Sequence, residues 1–188
     1  MLRFYSSQQE TRSVYILLTR SNTYFSRLIH KVTAEDYTHV SICLDEDLQH
    51  FYSFGRKSDI FMFPAGFVRE DLRSGIFHRF SQMPCALYEL QVPLAVYLLI
   101  EARIYQMQRI ADVYHYNCLG VILCKLDLAF QRQYHYFCSQ FVADLLQQSG
   151  ALEFQKAASL VQPGDFLRLP QLQLRYQGQL NQLCLTSC

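Results

Sequence analysis

A cysteine placed where a helix begins is the feature of this chain with the clearest chemical use. Cys138 follows Tyr134-His-Tyr-Phe137 and opens an apolar stripe of Phe141, Val142, Leu145 and Leu146, which recur at helical spacing. The pattern predicts a helix over 138–148, closed by Ser149-Gly150. A sulfur in the first turn of a helix sees unpaired N–H groups and the positive end of the macrodipole, both of which favour a thiolate. The backbone N–H of Cys138 or Ser139 is then placed to stabilise an oxyanion formed by attack on a carbonyl. The alternative is an inert core thiol, because cysteine is often buried as a small hydrophobe. Cys43 falls in mid-strand, Cys85 at a strand start, and Cys118 and Cys124 along an apolar helix, so none shares the position of Cys138.

A thiol nucleophile needs a base, and His39 is the best placed of the six histidines. It begins an extended segment in which Val40, Ile42 and Leu44 point one way and His39, Ser41 and Cys43 the other. The acidic turn Asp45-Glu-Asp47 separates this strand from a second one over 48–54, as in a β-hairpin. With the turn centred near Glu46, position 39 lies opposite position 53. Ser53 is then the expected partner that orients the imidazole, with Tyr52 and His50 in its place if the register slips. Tyr116 and Tyr136 are candidates for shaping a substrate pocket, with aromatic packing as the alternative role.

Other elements must bring these residues together. Val14–Thr19 reads as a buried strand and Asn22–Lys31 as a helix. Residues 61–80 read as loop with short strands, and Cys85–Val92 as a further strand. Pro93 opens a long helix to about Val113. A second apolar helix is expected over Leu119–Phe130, a turn and strand over 161–167, and a Gln- and Leu-rich tail from Gln171. No repeat or linker interrupts the chain, so it reads as one domain, 1–188, with its core over about 12–168. The element order fits an α+β fold with an antiparallel sheet packed against helices.

Bulk properties narrow the function classes. Half of the residues are hydrophobic (51%), with 13 Tyr and 14 Phe, which argues against disorder. A net charge of +1 gives no basic surface for nucleic acid. The seven cysteines follow neither a disulfide-scaffold nor a zinc-ligand spacing, so no metal and no cofactor is expected. The N-terminal residues lack the apolar core of a signal peptide, and the most apolar stretch, Val92–Ile100, is too short to span a bilayer. The expectation is a soluble, cytoplasmic protein.

Several short motifs, in order, resemble one known group. Thr38-His-Val-Ser-Ile-Cys-Leu44, Tyr52-Ser-Phe-Gly-Arg56, Tyr116-Asn-Cys-Leu-Gly120, Phe137-Cys-Ser-Gln-Phe-Val-Ala143 and Pro163-Gly-Asp-Phe166 are similar to the YiiX-like branch of the NlpC-type cysteine peptidase superfamily. The resemblance spans roughly residues 12–168 and points to a bacterial source. It implies a circularly permuted papain-like fold in which the His strand precedes the Cys helix. Cys138 would be the nucleophile, His39 the base, and a polar residue on the next strand, here Ser53, the orienter. It also implies hydrolysis of an amide or ester through a thioester. Lecithin:retinol acyltransferase-like proteins share the arrangement, which keeps a lipid-directed acyltransferase or thioesterase open beside the hydrolase. A non-catalytic binding module on the same fold is the third reading. The substrate is expected to be a small-molecule, peptide or lipid acyl compound.

Overall fold

The computed structural model describes residues 10–20, 36–57 and 64–186. The helix expected over Asn22–Lys31 lies outside them. In chain order the elements are β1 (Thr11–Thr19), β2 (His39–Cys43), β3 (Phe51–Arg56), β4 (Ala65–Glu70), α1 (Gly75–Arg79), β5 (Pro84–Pro93), α2 (Leu94–Arg109), β6 (His115–Tyr116), α3 (Cys118–Lys125), β7 (His135–Tyr136), α4 (Cys138–Gln148), β8 (Gln173–Gln179) and α5 (Leu180–Thr186). The strands form one eight-stranded sheet in the order β7-β6-β4-β3-β2-β1-β5-β8. Its pairings are antiparallel except for β6 with β7. The architecture is α+β.

The near-continuous apolar run of β1 follows from cover on both sides of the sheet. Val14, Ile16 and Leu18 join one core with Val40, Ile42, Phe54 and the buried side of α4. Leu17 joins a second core with Cys43, Phe51, Leu72 and, from α5, Leu180 and Leu183. Phe141, Val142, Leu145 and Leu146 are all buried, as the helical stripe predicts. Each contributes about 1.5–3 kcal/mol by leaving water, and together they pin α4 against β2 and β3.

Four sequence expectations change. The helix expected over Leu119–Phe130 stops at Lys125, because Asp127 takes a left-handed φ of 58° that no helix continues. The strand expected within 161–167 is a 3-10 helix over Pro163–Arg168, started by a proline in its first turn. The tail forms β8 and α5; β8 pairs with β5 and completes the far edge of the sheet. His115–Tyr116 and His135–Tyr136, expected as connections, are short strands at the opposite edge. Their entry needs Gly66, where any Cβ would stand 2.3 Å from the Tyr114 carbonyl oxygen. Among the described residues no helix is long and apolar enough to cross a membrane.

Candidate active site

The parallel strands β6 and β7 each run into a helix one residue later, and the two helix starts differ in one respect. At the start of α3, Asn117 caps in the usual way, its Oδ1 accepting from the Gly120 N–H at 2.9 Å. At the start of α4 the equivalent residue is Phe137, extended at φ −109° and ψ 166°, and no side chain caps the helix. The first-turn amides of Cys138 and Ser139 are therefore left for another acceptor beside the Cys138 sulfur. The tip of α4 is also anchored from outside, because the buried Ser139 hydroxyl donates to the Val161 carbonyl at 2.7 Å. That bond holds the helix tip against the chain that carries Gln162 and Pro163. Those two residues, with Thr38, Tyr116 and Lys125, line the cleft into which Cys138 faces.

His39 opens β2, one residue after Thr38. The Cys138 sulfur lies close enough to its ring to act on the ring's charge. The structure thus brings the two sequence-predicted residues together across about a hundred positions of chain. On the ring's other side, Nε2 meets both carboxylate oxygens of Glu70, at 2.9 and 3.0 Å. With Nε2 held by the carboxylate, Nδ1 is the nitrogen that remains for the sulfur. Both side chains are well shielded, His39 being 18% and Glu70 11% exposed. Burial works against a charged imidazole, but the Glu70 carboxylate and the Cys138 sulfur outweigh it. They push the His39 pKa well above its ordinary value. The arrangement favours the imidazolium.

Ser53 does not fill the orienting role. Its buried hydroxyl donates to the Val40 carbonyl at 2.7 Å, a strand-to-strand bond, and the group on Nε2 is Glu70. The register explains the difference. Ile42 pairs with Tyr52 and Cys43 with Phe51, which continues to Gly55, not Ser53, opposite His39. The cause lies in the loop over 44–50, where Leu48 adopts a left-handed φ of 53° and the Asp45 carboxylate receives the His50 N–H at 3.0 Å. This loop is longer than a tight turn about Glu46 and shifts the pairing by two residues. Gly55 lies beside the pair: a Cβ at that position would be in ordinary contact with both His39 Cε1 and Glu70 Oε1, at 3.8 Å.

Glu70 was hidden from sequence reasoning. It ends β4, in a stretch read as loop with short strands, and it reaches His39 only because β4 pairs with β3 along its whole length. The one available signal was the extended run Gly66-Phe-Val-Arg-Glu70, an acidic residue closing a segment of β-formers.

The two tyrosines separate. Tyr116 lines the cleft with Cys138. Burial, with the Cys138 and Cys118 sulfurs nearby, raises its pKa well above the ordinary value, so its hydroxyl stays protonated and can donate. Tyr136 is not among the residues lining the cleft. It packs on Phe54 with ring centroids 5.2 Å apart, and its hydroxyl donates to Asp144 at 3.3 Å. Cys43, by contrast with Cys138, is sealed in the core, where burial pushes its pKa up to about 12. His50 is held by Asp45 at 2.8 Å in the hairpin loop, and His115 meets His135 at the sheet edge with tilted rings, centroids 5.3 Å apart.

Comparison of the chain with models of protein families, with curated proteins and with solved structures finds no match to any of them.

Proposed function

We propose that this protein is a cysteine hydrolase of an amide or ester bond, with the permuted papain-like order of a His strand followed by a Cys helix. The observation that carries the reading is the His39 ring, held at Nε2 by the Glu70 carboxylate and close enough to the Cys138 sulfur for that sulfur to act on its charge. The Cys138 sulfur attacks the substrate carbonyl carbon. The resulting oxyanion is met by the uncapped first-turn amides of Cys138 and Ser139, with the Tyr116 hydroxyl as a further donor on the cleft wall. As the tetrahedral intermediate collapses, the bond to the leaving nitrogen or oxygen breaks and the imidazolium gives that atom its proton. The thioester is then attacked by water, His39 accepting the water proton, and release of the acid restores the thiol. Glu70 stabilises the imidazolium formed between these steps, the part played by the third member of a triad.

The test is covalent labelling. A thiol-reactive acyl probe at neutral pH is expected to modify Cys138, and Cys138→Ala to abolish the modification. Labelling that survives this substitution, or that maps to another cysteine, refutes the assignment.

One observation favours acyl transfer involving a lipid as a second reading. Leu119, Ile122, Leu126 and Leu128, on α3 and the turn that follows it, are each at least half exposed on the element that also contributes Lys125 to the cleft. Activity on fatty-acyl esters with none on short peptides selects that reading.

A further inference from the structure

Two histidines stand side by side at one end of the sheet, apart from the cleft. Strands β6 and β7 are two residues each and pair in parallel, His115 with His135 and Tyr116 with Tyr136. Tyr136 is buried and Tyr116 lines the cleft. By the alternation of a strand, the two histidines take the other face, where His115 is exposed and His135 partly so. Their ring centroids lie 5.3 Å apart. Two imidazoles bound to one tetrahedral zinc at about 2.0–2.1 Å per nitrogen have centroids roughly 5 Å apart. The rings therefore already stand at the separation that a shared ion requires.

The hydrogen bonds agree with that use. His135 Nδ1 lies 2.8 Å from the Gln133 carbonyl oxygen, which can only accept, so Nδ1 carries the proton. In the neutral ring Nε2 then keeps its lone pair. A ring held in this way through Nδ1–H is the ordinary form of a metal-ligating histidine. Among the described residues none hydrogen-bonds the His115 ring, so that ring can turn a nitrogen to the same ion. Lys57 passes Gly66, the residue opposite His115, but its ammonium reaches the Ala111 carbonyl at 3.3 Å and the Asp112 carboxylate at 3.5 Å. Among the described residues no third His, Cys, Asp or Glu completes a three-ligand group, so water fills the remaining positions of the ion.

We propose that His115 and His135 bind one zinc ion, and that the ion clips β6 to β7. This edge is thinly held: β6 pairs with β4 only between His115 and Gly66, and β7 is the last strand of the sheet. Strand β7 runs through Phe137 into Cys138, so an ion at His135 steadies the segment that presents the sulfur. The site stands whatever chemistry Cys138 performs.

Calorimetric titration of the whole chain with zinc chloride at neutral pH tests the proposal. Wild type is expected to bind zinc. His115→Asn and His135→Asn should each weaken the affinity by at least about tenfold, because losing a ligand costs no less than losing the outer hydrogen-bond partner of one. His50→Asn should leave it unchanged. Zinc should also raise the wild-type Tm in a concentration-dependent way, and should not raise the Tm of either of the first two variants. His115 is exposed, so its substitution reads the site without disturbing the core. Failure of wild type to bind zinc overturns the proposal. So does binding that survives either substitution, which assigns the ion to other ligands such as the cysteines.

Discussion

Replacing Glu70 by Gln keeps the size of the side chain and removes the charge that faces His39. In the wild type the carboxylate lies 2.9–3.0 Å from Nε2, and neither side chain is more than a fifth exposed. An opposite charge at such range favours the imidazolium over the neutral ring. The expected result in Glu70→Gln is a lowered His39 titration midpoint. It can be followed by NMR through the His39 ring protons, with the rate of Cys138 alkylation against pH as the functional counterpart. The thiolate then loses part of its cationic neighbour, so the alkylation curve should move toward higher pH. The alkaline limb of turnover, set by loss of the imidazolium, should move toward lower pH.

Stability carries the same sign. A histidine whose folded pKa is raised contributes stability that is fully present below its unfolded value of about 6.5 and is lost as the pH rises through the folded value. Wild-type unfolding free energy should therefore decline across the window that starts near pH 6.5 and ends well above it. Glu70→Gln should show a flatter profile there. A His39 midpoint that stays where it was, or rises, refutes the claim that Glu70 governs the ring.

Two further outcomes follow from the same geometry. Ser53→Ala should cost about 1 kcal/mol of stability, the usual worth of one buried hydrogen bond, read as a shift of the denaturant midpoint at constant slope. Cys138 alkylation should keep its wild-type pH profile in that variant; a displaced profile would restore Ser53 to the triad. Cys43, with its pKa near 12, should remain unmodified at neutral pH while Cys138 reacts, and peptide mapping after partial alkylation checks this.

The sequence by itself determined the local parts of this protein. Period-two alternation located β2, and the spacing of Phe141, Val142, Leu145 and Leu146 located α4 with Cys138 at its tip, because both signals lie within a single element. The apolar run of Val14–Thr19 likewise announced a strand buried on both faces. Tertiary structure alone decided who stands next to the imidazole. A seven-residue loop over 44–50 moved the β2–β3 register by two and turned Ser53 into a strand-to-strand donor. Pairing of β4 with β3 then carried Glu70 to the ring. The two-residue strands β6 and β7 are held by neighbours distant in the chain, so they left no periodic trace; the same holds for the tail, whose β8 exists only against β5. Identity and spacing of residues specify an element, whereas register and edge pairing are set by backbone bonds between elements, and those depend on loop conformations such as the left-handed turn at Leu48 that composition does not encode.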